Sequence, residues 1–297
     1  MKNDFVKLHI SILLAGFTGI FGKLILMNEG LLVWYRLLIS FALFYLILFF
    51  SKKIPHVSKS DFGKICGVGV LLALHFLFFY GSIKYSNVSI GVVCYSLVGF
   101  FTAIFEPLIV KRKFCMKEIA FSLIAVAGIL LIFNFDTSFR FGIILGVIAS
   151  AMAALYTITN KIVEKGKSSQ TMLYYELMGA TLFTTALMPL YLHFNPVTTI
   201  LPTMSDWGFL FILAFFCTIG QYILHIEVLK TISAFTVSLS GNMEPLYGIL
   251  IAICFLGEAQ QLTIPFYIGM TFITLSVLMQ SLSARKQKRV PQLTRID

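Results

Sequence analysis

Glu244 and Pro245 stand in the middle of a long apolar run, residues 232–256. An ionisable side chain in hydrocarbon is costly, so it marks a candidate site. Proline lacks an N–H and crowds the carbonyl four residues back, here that of Gly241. A carboxylate, the Asn242 amide and a freed carbonyl near mid-span suit an amine, a cation or a proton. Three roles are open for Glu244: a fixed counter-charge to a substrate amine, a proton carrier, or a partner at a structural kink with Pro245.

Other polar residues recur at helical spacing. Gly91, Tyr95, Gly99, Thr102 and Glu106 share one face. That face lines a watery path, with Glu106 in a coupling or gating role, or Glu106 simply pairs with Lys111. Thr218, Gln221, Tyr222 and His225 form a second stripe, and His75 lies deep in another apolar run. Ser150, Ala153, Ala154, Thr157, Asn160 and Lys161 make a small-residue face, as do Ser11, Ala15, Thr18, Gly19, Gly22 and Lys23. Such faces let helices approach closely. Lys23 and Lys161 attract anionic groups near the two mouths or snorkel to headgroups. Arg36, after Trp34 and Tyr35, is expected to be structural, in a salt bridge with Glu29 or Glu176, with the two aromatics in an interfacial belt. A mid-span tyrosine needs a partner for its hydroxyl, so Tyr80, Tyr95, Tyr156, Tyr222 and Tyr247 are better cavity candidates than any phenylalanine. His75, Tyr95, Thr157, Asn160, Gln221 and Glu244 are expected to point into one central space.

The elements that position these residues follow from composition. Of 297 residues, 58% are hydrophobic and 12% charged. A bilayer can solvate that much apolar surface, and a span takes about 20 residues. Ten stretches qualify: 8–27, 31–50, 62–83, 88–110, 116–134, 141–160, 171–192, 206–227, 232–256 and 264–282. Backbone groups in hydrocarbon must bond internally, so the fold class is an all-α membrane protein of ten transmembrane helices. The first stretch is long enough to span and lacks a small-x-small cleavage site, so it reads as a span rather than a signal peptide.

Basic residues cluster in alternate connections, including Lys52, Lys53, Lys111, Arg112, Lys113, Lys165 and Lys167, and in the tail from Arg285. The positive-inside rule then places both termini in the cytoplasm, of the inner membrane on this reading. The net charge of +10 is explained by anionic lipid and implies no nucleic-acid partner.

The chain also lies over itself. Lys84–Phe100 matches Lys230–Leu246 at a shift of 146, and Lys161 follows Lys23 by 138 residues. Each unit holds an odd number of spans, so the two units are inverted repeats: residues 1–138, residues 139–284, then a polar tail at 285–297 without expected structure. The shift of 146 pairs Gln221 with His75 across the pseudo-two-fold axis. It pairs Glu244-Pro245 with Val98-Gly99, not with Glu106-Pro107.

Trp34-Tyr35-Arg36, the Lys-x-x-x-small runs Lys84–Val88 and Lys230–Ala234, and Glu244-Pro245 followed by Gly257-Glu258 carry a resemblance. On these motifs the chain resembles the drug/metabolite transporter superfamily, in its EamA-type group. The resemblance covers residues 8–282. It implies a central cavity lined by spans 1, 3, 4, 6, 8 and 9, and transport, often export, of small polar metabolites such as amino acids without ATP. The first repeat departs from the pattern at Val98-Gly99 and Lys111-Arg112, so the site is expected to lean on the second repeat.

The leading reading is a secondary transporter working by alternating access on an amino acid or related amine, with lipid around it and a homodimer left open. No nucleotide loop of the Gly-Lys-Ser/Thr kind is present. The alternatives are a non-transporting polytopic protein, such as a sensor or assembly factor, and a membrane-embedded enzyme. Among the histidines (His9, His56, His75, His193, His225) only His75 is deep, so no metal and no cofactor are expected, and no catalysis. The five cysteines, Cys66, Cys94, Cys115, Cys217 and Cys254, read as small buried apolar residues.

Overall fold

The computed structural model describes residues 2–135, 137–241, 243–257, 260 and 262–287. These form thirteen α-helices and no strand: α1 Lys2–Leu24, α2 Glu29–Phe50, α3 Lys59–Lys84, α4 Val88–Tyr95, α5 Val98–Val110, α6 Met116–Phe135, α7 Arg140–Val163, α8 Ser169–Phe194, α9 Met204–Ala214, α10 Gln221–Thr231, α11 Ala234–Gly241, α12 Glu244–Leu256 and α13 Ile264–Gln287. Seven stretches are long and apolar enough to cross a membrane: 4–24, 29–50, 59–84, 88–110, 137–163, 169–194 and 204–231. Apolar helices at 119–134, 247–256 and 264–276 are shorter. The last residues of the tail lie outside the described residues.

Helix starts are set by short polar side chains that satisfy orphan backbone donors. Asn28 accepts from Leu31 N, Ser58 from Asp61 N and Ser168 from Thr171 N. Thr203 and Asp206 form a reciprocal capping box at α9.

Two expected spans are interrupted. Span 88–110 divides at Ser96-Leu97, and span 232–256 divides just before Glu244. The two divided spans have the same bounds when shifted, since 234 − 88, 241 − 95, 244 − 98 and 256 − 110 are all 146. Leu97 N bonds Cys94 O, and Met243 N bonds Ser240 O, each at 3.0 Å and each one residue tighter than an α-helical bond. Each divided span also ends on a left-handed residue, Lys111 (φ 56) or Gly257 (φ 65).

A third interruption is a π-helical turn, Phe215–Gly220, between α9 and α10. The shifted counterpart of these residues lies inside the unbroken α3.

Packing pairs α3 with α7 and α8, α2 with α8, α6 with α13, and α1 with α10 and α12. The divided spans cross each other, α4 against α12 and α5 against α11. One large apolar cluster runs through α2, α3, α7 and α8. Gly69 makes the α3–α8 contact feasible, because a Cβ there would lie 2.1 Å from the Glu176 carbonyl oxygen.

The cysteines form no disulfide among the described residues. Cys94 and Cys217 are buried as expected, but Cys66 and Cys115 are half-buried and Cys254 is exposed. Cys254 lies on α12 beside exposed Phe255.

Candidate functional site

The interruptions converge on the middle of the molecule. Glu244 is the first residue of α12, with Pro245 in the first turn, where a missing N–H costs no helical bond. The Glu244 side chain is buried, and none of its atoms forms a hydrogen bond or ion pair with a described residue. It borders two small adjoining cavities, each of about 20 Å³, room for about one water molecule.

The first cavity is walled by Thr18, His75, Phe79, Tyr95, Gln221 and Tyr222 together with Glu244. The second shares Tyr95, Gln221 and Glu244 and continues past Ser11, Thr157, His225 and Ser238. His75 is fixed by an Nδ1 contact of 3.0 Å to the Ala149 carbonyl. Its ring lies 5.6 Å from that of Tyr95. Gly241, the shifted counterpart of Tyr95, sits against the Tyr95 ring, 3.9 Å from a Cβ built on the glycine.

Of the six residues expected to share one space, His75, Tyr95, Thr157, Gln221 and Glu244 border this pair of cavities. Tyr222 joins them. Asn160 does not: its amide is turned to Glu176 Oε1 at 2.7 Å. Tyr156 is also withdrawn, since its hydroxyl donates to Glu176 Oε2 at 2.9 Å. Glu176 is fully buried. Asn242 lies outside the described residues. Tyr80 is drawn away by Arg36, and Tyr247 packs its Cβ near Gly16.

Arg36 corrects the sequence expectation. It makes no salt bridge with Glu29 or Glu176. Glu29 lies seven residues before it on α2, about 10 Å along the axis, and accepts instead from the Tyr191 hydroxyl at 2.8 Å. Glu176 is taken by Tyr156 and Asn160. The Arg36 guanidinium, wholly buried, donates to Tyr80 Oη at 2.7 Å, Thr218 Oγ1 at 2.8 Å and the Cys217 carbonyl at 2.8 Å. It also stacks 3.8 Å over the Phe76 ring, a cation–π arrangement. A π turn spoils the regular ladder of carbonyls, and Arg36 uses that irregular stretch. The same turn removes Thr218 from the stripe of Gln221, Tyr222 and His225. Tyr35 is buried against Trp207, and Trp34 Nε1 donates to Thr185.

The face through Glu106 is not a path. The break at Ser96-Leu97 splits it, Thr102 is tied to Ser238 at 3.1 Å, and Glu106 pairs with Arg112 at 2.8 Å. Lys111 is the left-handed residue that ends the span. Lys161 donates to the Leu229 carbonyl and lies 3.9 Å from Glu164, which fastens the end of α7 to that of α10. Lys23 is exposed at the end of α1.

The sequence reading passed over Phe76 and Phe79. Their spacing from His75 and Tyr80 on α3, one and four residues, places them on the same inward face. Among the described residues no group of histidine, cysteine and carboxylate side chains could hold a metal.

Comparison with known proteins agrees with this architecture. A solved crystal structure matches at a TM-score of 0.65, covering 95% of this chain and 99% of its own; at 16% identity the likeness concerns the fold. A protein of Haemophilus influenzae described as an uncharacterized transporter is 27% identical over 233 residues, 75% of this chain and 74% of that protein. GDP-fucose transporter 1 of Dictyostelium discoideum is 26% identical over 244 residues, 76% of this chain and 65% of that protein. The sequence model of the EamA-like transporter family matches residues 7–134 and 140–282. The chain is a multi-pass membrane protein and belongs to the EamA-like transporter family.

Proposed function

We propose that the protein is a secondary transporter that exports a small polar metabolite, an amino acid or related amine, across the inner membrane by alternating access. The observation that carries this reading is Glu244: a buried carboxyl with no partner among the described residues, bordering a cavity whose other polar groups are Gln221, Tyr95, Tyr222, His75 and Thr18. A buried carboxylate with no cation beside it is a costly arrangement, and a substrate ammonium group relieves it. Glu244 is therefore the counter-charge, and the amide and phenols select the rest of the substrate. The cavities hold little more than water, so the form described is closed around the site, and the substrate enters when one mouth opens.

On this reading ten spans form two inverted five-helix repeats, 1–138 and 139–284, and the cytoplasmic tail follows. The coincident bounds of the divided spans and the two matched stretches, 7–134 and 140–282, support it. Both termini are cytoplasmic. A nucleotide sugar, the cargo named for the Dictyostelium relative, fits less well. Its diphosphate calls for basic groups at the cavity, and neither cavity is lined by a lysine or arginine.

Labelled amino acids and amines, offered to proteoliposomes of the purified chain, test the function. Saturable flux that falls with Glu244→Gln supports it; flux unchanged by that substitution removes Glu244 from the site. A periplasmic reporter is expected to be silent after Asp297 and active within 195–204. The reverse pattern overturns the orientation.

A further inference from the structure

Glu176 lies one layer behind the cavity wall and has no place in the mechanism above. It is fully buried on α8. Its two oxygens meet only neutral donors: the Tyr156 hydroxyl at 2.9 Å and the Asn160 amide at 2.7 Å. The same amide nitrogen lies 3.1 Å from the Tyr156 hydroxyl, which closes a three-membered cluster. Asn160 Oδ1 is buried without a partner among the described residues. Among the described residues no Lys, Arg or His lies within ion-pair distance of Glu176.

The neighbouring helices bring few other charges. On α7 the facing groups are Tyr156 and Asn160. From α3, Gly69 presents backbone, and the nearest titratable group, Cys66, turns its thiol to the Tyr175 carbonyl. On α2, Arg36 is spent on the π turn. From α10 come Tyr222 and His225. The Tyr156 ring stands 5.7 Å from Tyr222 and 6.1 Å from His225. His225 borders the cavity, yet its Nε2 is buried and unpartnered.

Hydrogen bonding alone does not call for an acid here, because a glutamine could serve both contacts without a charge. What an acid adds is a removable proton. A hydroxyl can donate to a carboxylate or accept from the acid, and an amide presents an acceptor when turned. The contacts to Tyr156 and Asn160 can therefore be kept in both forms, and the orphan Oδ1 is the acceptor that the charged form leaves unused.

We propose that Glu176, Tyr156 and Asn160 form a proton-binding site separate from Glu244, reached from the cavity through the Tyr156–His225 layer. Its part in coupling rests on the transporter reading above; the binding of a proton does not. The step is simple. One carboxylate oxygen takes a proton from water on one side, an O–H bond forms, and that bond breaks when the proton leaves to water on the other side.

Infrared difference spectra of the purified full chain between acid and alkaline pH test the site directly. A carboxylic-acid band is expected that is lost in Glu176→Gln, persists in Glu244→Gln and shifts in Tyr156→Phe. In proteoliposomes, Glu176→Gln should lose accumulation of a labelled amino acid driven by a pH gradient while keeping exchange. A titrating band untouched by Glu176→Gln, or gradient-driven accumulation intact in that variant, overturns the proposal. Should Glu176→Gln fail to fold, the band shift in Tyr156→Phe decides, and no shift overturns it. If the unmodified protein moves no amino acid, the transport reading fails instead, and the band alone decides the proton site.

Discussion

The two divided spans, α4–α5 and α11–α12, share bounds, tight turns and left-handed ends, yet their sequences differ where it matters most. The second places Glu244 and Pro245 at its break; the first has Val98 and Gly99 at the same shifted positions. Proline therefore does not make the break. Both divided spans begin from a polar cap three residues before the receiving amide: Asn87 accepts from Ile90 N, and Ser233 from Thr236 N. In the first span the Ser150 hydroxyl also donates to the Cys94 carbonyl at the turn, at 2.7 Å. One geometry serves two purposes: Val98 completes an apolar wall, and Glu244 supplies the carboxyl. The candidate site is lopsided because only one of the two similar frames carries a carboxyl.

The largest effect expected is at Glu244. A hydrogen bond to a charged group is worth about 1.5–3 kcal/mol, so Glu244→Gln should weaken substrate binding by about 10- to 100-fold. As a fixed counter-charge it should do so at every pH; a proton carrier would lose the gradient response selectively. Val98→Thr, nearly the same shape at the shifted position, should leave affinity within about threefold, since it changes less than about 1 kcal/mol of packing. Binding titrations across pH on both variants decide. Equal losses would mean that the two breaks contribute alike and the comparison fails.

The next effect concerns the π turn, Phe215–Gly220, which interrupts a helix where the shifted counterpart in α3 runs on. Arg36→Met removes the donor to the Cys217 carbonyl and strands it, a cost of about 1–3 kcal/mol per unsatisfied group. Arg36→Lys keeps the charge but not the fork of donors, and should fall between. Thermal unfolding in one detergent orders the three proteins. An Arg36→Met protein as stable as the unmodified chain would show that the π turn stands without its arginine.

These contrasts explain what could be read from the residues. The seven long spans were legible because twenty apolar residues in a row have few other uses, and Glu244 because a carboxyl beside a proline stands out in an apolar run. The shift of 146 was legible from Lys84 and Lys230 alone. The break after Tyr95 was not, because its sequence, Tyr95-Ser96-Leu97-Val98, is locally helix-compatible and its carbonyl is met by Ser150 from another helix. Arg36 was misread for the same reason. Burial identified it as special, but nothing local says that a carbonyl and two hydroxyls, rather than a carboxylate, will receive it. Asn160 and Tyr156 share the small polar face with Thr157, and only the position of α8 decides which of them reach the cavity.

A smaller effect is expected from Pro245. It occupies the first turn of α12, and the first span breaks without a proline. Pro245→Ala should therefore keep the break and change stability by about 1 kcal/mol or less. Amide exchange at Ser240 to Glu244 should show no new protection. A continuous protected helix through these residues would restore the proline as the cause and separate the two breaks.

The finest test lies where the divided spans cross. On α5 and α11, Thr102 Oγ1 meets Ser238 Oγ at 3.1 Å. At the other crossing, Gly248 of α12 faces Val92 of α4, with 3.2 Å from a built Cβ to the valine methyl. The positions correspond, since 248 − 102 and 238 − 92 are both 146. One crossing is thus closed by a polar pair and the other by a valine over a glycine. Ser238→Val alone should crowd Thr102, and Thr102→Gly alone should lose a bond worth about 0.6 kcal/mol between membrane helices and add about 1 kcal/mol of helix penalty. Together they rebuild the valine-over-glycine contact, so the double variant should be more stable than the two single losses predict, by about 0.5–1.5 kcal/mol of coupling. Thermal unfolding of all four proteins measures that coupling. A value near zero would show that the two crossings share helix bounds but not packing geometry, and the equivalence of the two frames would end at the backbone.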